Sequence, residues 1–257
     1  LTGSALLYNY DSNWGGDISF IAPRNITRGT LYNQTAYLEK TGANNDASNG
    51  GNVFNGTATL INSGTGYFMP ANVTGNDFNA DITYTKTNIG LVYPSYNSAS
   101  TYAGNLTINS ATPIRFGANT NGRIIFDGNI AQNINKIAAT PTPEFRDIQT
   151  VNTNNEITLN TPVIIISELD LDQGNIITTA TNLLYMNNNS IVTSVSNDAF
   201  VDGPVEKRGN DTFTFPVGDN SLYRPISITA PSNTSHAFRA QYFESNPHPT
   251  YDNTLKD

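Results

Sequence analysis

The chain has 257 residues, of which 13% are charged, against about 25% in ordinary globular domains, so its solubility rests on neutral polar groups, above all 37 Asn and 32 Thr. A net charge of −8 with 13 scattered Lys and Arg excludes the clustered basic surface that nucleic-acid phosphates or anionic lipid require. The lack of cysteine excludes disulfides, no apolar run approaches the roughly 18 residues of a membrane span, and the wealth of Asn and Thr disfavours long helices.

In chain order, Leu1-Thr-Gly-Ser-Ala-Leu-Leu7 begins without Met and is already strand-like, and Thr254-Leu-Lys-Asp257 carries no closing signal, so the sequence reads as an excerpt of a longer chain. Residues 1–53 read as irregular coils, with short strands over Ala5–Tyr8 and Asp17–Ile21 and a turn-rich loop over 41–51. Residues 54–132 then repeat one pattern four times: Phe54-Asn-Gly-Thr-Ala-Thr-Leu60, Phe78-Asn-Ala-Asp-Ile-Thr-Tyr84, Tyr102-Ala-Gly-Asn-Leu-Thr-Ile108 and Phe126-Asp-Gly-Asn-Ile-Ala-Gln132. Each copy starts 24 residues after the one before, and Phe68, Val92 and Phe116 keep the same interval, as do Pro70 and Pro94.

Alternation of apolar and polar residues within each copy is the mark of a half-buried strand. Strands that recur once per 24 residues bury their apolar faces only by stacking copy on copy, which predicts an all-β chain built as a parallel β-helix, a β-solenoid with about 24 residues per coil. Phe54, Phe78, Tyr102 and Phe126 are expected in one internal file, about 4.8 Å apart. Gly56, Ala80, Gly104 and Gly128 are expected beside them, small so as to leave room for the rings, with Asn55, Asn79 and Asn129 outside.

Ala139-Thr-Pro-Thr-Pro143 breaks the period as a loop, because proline cannot donate to a central ladder. Shorter coils follow from Ile148 to about Ser196, with strands over 157–159, 163–166, 168–171, 176–178, 183–186 and 191–195. After Asp198 the strands lengthen and take hairpin-like spacing, over 200–207, 212–217, 223–229 and 237–243. The expected division is a parallel β-helix over 1–197 and, over 198–257, an antiparallel β cap or the start of a following β-sandwich domain.

The string from Phe200-Val-Asp-Gly-Pro-Val-Glu-Lys-Arg-Gly-Asn-Asp-Thr-Phe-Thr-Phe-Pro-Val-Gly-Asp to Ile228, followed by Ala237-Phe-Arg-Ala-Gln-Tyr-Phe243, resembles large repetitive surface proteins of Bacteroidota. The Phe-Asn-Gly coils upstream are similar to the repeats of the same proteins, so the resemblance covers roughly residues 50–257. Proteins of this group are exported by the type 9 secretion system and include gliding-motility adhesins. The resemblance implies an extracellular or cell-surface location, a non-catalytic adhesive or spacing role, contact with surface glycans or other cell-surface proteins, and passage through the type 9 machinery during export.

Among candidate sites, Glu168-Leu-Asp-Leu-Asp172 places Glu168, Asp170 and Asp172 on one strand face and Leu169 and Leu171 on the other. Acids two apart on a strand stand about 6.6 Å apart, which suits an inverting glycosidase pair. The same three acids are candidate ligands for a surface calcium ion, although Gln173 stands where an EF-hand loop needs glycine and Thr179 where it needs glutamate. The plain alternative is a solvated strand face.

Tyr93 and Tyr96 flank Pro94-Ser95, and Trp14 precedes Gly15-Gly16, positions from which aromatic rings can stack on sugars or simply pack at coil ends. His236 and His248 are the only histidines, which leaves little material for a zinc site or a Ser–His–acid triad, and no cofactor-binding fingerprint occurs. Three functions remain: an adhesive or spacing surface segment with no catalytic residues, a polysaccharide-degrading β-helix enzyme, and a passive filament former. Sparse charge and few histidines favour the first.

Overall fold

The computed structural model describes residue 2 and residues 5–137, 141–153 and 155–245. These form a parallel β-solenoid with no helix and about nine coils, on average about 22 residues apart. Two long sheets run the length of the solenoid. One stacks Asn13–Trp14, Leu31–Tyr32, Val53–Phe54, Asp77–Phe78, Ala99–Tyr102 and Arg123–Phe126, then Glu144–Val151, Val163–Gln173, Leu184–Met186 and Val205–Arg208. The other stacks Ile18–Ala22, Ala36–Lys40, Ala58–Asn62, Ile82–Lys86, Leu106–Ser110, Gln132–Lys136 and four shorter strands up to Val217–Asp219. A third line of pairing links Leu6–Tyr10 to Arg24–Arg28 and Asp46–Ala47 to Phe68–Met69. It joins the first sheet at Glu144–Val151, which pairs with Arg115–Phe116 at its start and with Arg123–Phe126 further along.

The aromatic file exists and is longer than the repeat. Tyr32, Phe54, Phe78 and Tyr102 stack with centroids 4.6, 4.8 and 5.0 Å apart, and Phe126 continues the file at 6.0 Å with its ring tilted. Each is essentially inaccessible to water, so each contributes hydrophobic burial as well as about 0.5–1.5 kcal/mol per ring pair from the contact itself. Phe116 and Phe145 stack in the same way at 4.5 Å. Asn55, Asn79 and Asn129 lie outside. Outside, the amides form a ladder in which Asn33 donates to Asn13, Asn55 to Asn33 and Asn79 to Asn55.

The glycine positions have a different cause from the one expected. Each repeat copy is not one strand: Phe54 ends one strand and Ala58 starts the next, so Gly56 lies in the corner between them. A Cβ on Gly56 would stand 2.4 Å from the Gln34 carbonyl carbon, and one on Gly104 2.3 Å from that of Ala80. Small residues are needed because the backbones of successive coils touch at this corner, not to make room for rings. In the fourth copy the corner is four residues longer, since Leu106 pairs with Ile134, and Ile130 is pushed outside, where it is 61% exposed. Gln132 turns inward instead and donates to the carbonyls of Tyr102 and Gly104.

Residues 1–53 are also more regular than their sequence suggests. Trp14 pairs with Tyr32 and Tyr32 with Phe54, steps of 18 and 22 residues that fit the same ladder because only the corners are shorter. Of the loop expected over 139–143, residues 139 and 140 lie outside the described residues. Past Asp198 the parallel ladder continues, with Val201 on Ile176 and Val205 on Leu184. Antiparallel pairing enters with Phe213–Phe215 on Ile226–Ile228, Leu222–Tyr223 on Val217–Asp219, and Ala237–Ala240 on Val205–Arg208. These last strands lie against the open edges of the final coil, where a cap belongs.

Candidate functional site

Glu168, Asp170 and Asp172 lie on the outer face of Val163–Gln173, with Leu169 and Leu171 fully buried behind them. The ladder sets Arg123 two coils away in the same column, through Asp147 and then Glu168. From there its guanidinium reaches both acids, with Nη1 donating to Asp170 Oδ2 at 3.1 Å and Nη2 to Glu168 Oε2. On the opposite side, the Thr193 hydroxyl lies 3.0 Å from Glu168 Oε1 and 3.1 Å from Asp170 Oδ1, and donates its single proton to one of them.

An inverting pair needs room between its carboxylates for a water and a sugar. Here the Arg123 guanidinium bridges the two carboxylates. Asp172 is exposed beyond this pairing, and no group of three or more His, Asp or Glu among the described residues is arranged to hold a metal. Asp147, between Arg123 and Glu168 in the column, is raised by burial against the opposing pull of Arg146, a Ser167 hydrogen bond and Arg123.

The aromatic candidates fall in two places. Trp14 is 38% exposed, packs edge-on against Phe20 at 5.3 Å and donates Nε1–H to Asn9 Oδ1. Tyr93 and Tyr96 meet edge to face at 5.5 Å and are both half-buried. Tyr93 further lines a cleft of about 360 Å³ with Lys86, Leu91, Pro113, Arg115 and Glu144. Burial raises the Tyr93 phenol, Tyr96 adds to the effect and Arg115 opposes it.

Sequence reasoning missed a larger cleft of about 630 Å³ near the last coils, lined by Asn155, Glu156, Asn175, Asn197, Asp198 and Ser221 among others. Its signal is the recurrence of Asn155, Asn175 and Asn197 at steps of 20 and 22, which marks one corner of three coils. The amides serve the corner itself: Asn175 accepts from Phe200 N–H and Asn197 from Tyr223 N–H. Close by, the Asp202 carboxyl is raised by burial first, then by Asp219 and by Glu156.

Scanned against protein-family models, curated proteins and solved structures, the chain matches none of them.

Proposed function

We propose that this chain is a non-catalytic segment of a secreted or cell-surface adhesin-like protein, acting as a stiff spacer whose lateral faces contact surface glycans or other cell-surface proteins. The observation that carries the proposal is the closed pairing of Glu168 and Asp170 with Arg123, which leaves the most concentrated acidic strand of the chain without room for a reacting sugar. Elsewhere on the surface the exposed ladder of Asn13, Asn33, Asn55 and Asn79 presents amides, groups suited to hydrogen-bonding sugars without chemistry. The resemblance of 200–243 to type 9-exported surface proteins supports the extracellular location and the association with gliding.

The second reading, a polysaccharide-degrading enzyme, draws on the cleft that holds Glu156 and Asp198, with the raised carboxyl of Asp202 nearby. A carboxyl raised above its ordinary range is shifted in the direction a general acid needs. A glycan array combined with an assay for released reducing ends tests both. Retention without release supports adhesion. Release that is lost in Asp202→Asn replaces adhesion with the enzyme, and the absence of both retention and release contradicts the adhesive reading.

A further inference from the structure

The last residues of Ala36–Lys40, Ala58–Asn62 and Ile82–Lys86 share one column, Lys40, Asn62 and Lys86, at a corner of the solenoid. All three are buried, and the side chains of Lys40 and Asn62 work on the corner backbone. Lys40 Nζ donates to the carbonyls of Gly42 at 2.6 Å and Gly66 at 3.1 Å, and Asn62 Nδ2 to those of Gly66 and Leu91. Lys86 departs from the pattern. Its ammonium donates to the Thr112 hydroxyl, and among the described residues no carboxylate stands within ion-pair distance of it. Lys40 also has no carboxylate at that distance among the described residues, but two carbonyls take its ammonium, whereas the comparably buried Lys207 has Asp211 at 2.9 Å.

A buried ammonium carries three donors and is costly without an anion. Lys86, 5% exposed, contributes to the wall of the Tyr93 cleft. Arg115 stands in the same cleft, its Nε and Nη2 held at 2.8 and 2.7 Å by Glu144. The ion pair fixes the guanidinium and keeps Glu144 as an acceptor for hydroxyl groups. Leu91 and Pro113 supply apolar wall, and the half-buried Tyr93 ring supplies a face for stacking. The local balance, Lys86 and Arg115 against Glu144, is one net positive charge on a chain whose overall charge is −8.

We infer that this cleft binds one carboxylate-bearing sugar unit, with Lys86 as the counter-charge for the carboxylate, Tyr93 against the ring and Glu144 accepting from a hydroxyl. The volume, about 360 Å³, lies in the range of small-ligand clefts. The choice of a saccharide rests on the adhesive reading; the choice of an anion rests on Lys86 alone.

Isothermal calorimetry with trigalacturonate, its neutral methyl ester and sodium acetate, on the full chain, tests the inference. Trigalacturonate binds, the ester binds at least about tenfold more weakly, and acetate competes only at far higher concentration. Lys86→Met, which keeps the buried stem and removes the charge, weakens trigalacturonate at least about tenfold while melting no lower than wild type. Tyr93→Leu weakens both trigalacturonate and the ester, since the stacking face serves each. Equal binding of acid and ester, undiminished binding by Lys86→Met, or no binding of trigalacturonate overturns the inference. Acetate as tight as trigalacturonate overturns its saccharide half. A chain that retains neutral glycans on an array but ignores trigalacturonate overturns this inference and leaves the adhesive reading standing.

Discussion

At Gly104 a single hydrogen separates two coils. A Cβ there meets the Ala80 carbonyl carbon at 2.3 Å and the Asp81 nitrogen at 2.4 Å, backbone atoms that cannot move without shifting a whole coil. Gly104→Val is therefore expected to destabilise by about 1–3 kcal/mol in urea unfolding. Gly15→Ala, with nothing within 4 Å, is expected to stay within about 0.5 kcal/mol of wild type. Asp46 gives a second prediction. It is fully buried and accepts from Asn25 N–H at 2.7 Å and from Ser48, yet burial dominates and pushes its carboxyl up to about 6. The folded state thus holds this proton more tightly than the unfolded chain, whose aspartate lies near 3.8. The stabilisation is fully present below that lower value and is lost as pH rises through about 6, a change of up to about 3 kcal/mol for a gap of roughly two pH units. Asp46→Asn does not titrate, so its stability relative to wild type should improve by that order between about pH 4 and pH 7; a constant difference across the range would contradict the assignment.

Beside the outer amide ladder runs an inner one, in which Asn52 donates to Asn76; the two look alike in sequence and differ in worth. Asn76 is buried: its Oδ1 accepts from both the main-chain N–H and the Nδ2 of Asn52, and its Nδ2 donates to Pro70 O. Asn76→Ala strands those groups away from water and is expected to cost about 1–3 kcal/mol. Asn79→Ala, in the exposed ladder, is expected to change unfolding by less than about 0.5 kcal/mol. The period itself was legible because four successive coils place an aromatic in one column, Phe54, Phe78, Tyr102 and Phe126, at constant spacing; the file ends there, since Phe126 pairs with Thr150 and Thr150 with Leu171. The corners were not legible. Whether Gly56 continues a strand or turns is decided by the closeness of Gln34 in the coil before, which alternation within one segment does not encode. Step length also varies, from 16 residues between Val201 and Val217 to 29 between Arg115 and Glu144; the 18-residue step between Trp14 and Tyr32 hid the first coils, and the 28-residue step between Leu106 and Ile134 misplaced Ile130. Arg123 escaped notice for the same reason, since unequal coils separate it from Asp147 and Asp147 from Glu168.

About nine coils at 4.8 Å per coil give a rod of about 40 Å, with antiparallel strands paired to its last coils. Such a body displays lateral surfaces at fixed spacing, and its stability is close to a sum over neighbouring coils. That suits one segment of a longer stalk. In this role Glu168, Asp170 and Asp172 serve only the outer face and the Arg123 pairing, and the triple variant Glu168→Gln, Asp170→Asn, Asp172→Asn keeps acceptors for the guanidinium. The most direct measurement therefore compares wild type and this variant for retention on polysaccharide films and for reducing ends released from them. The account predicts equal retention and no release by either protein. Release by the wild type that disappears in the variant would contradict it and make the acidic strand a catalytic one.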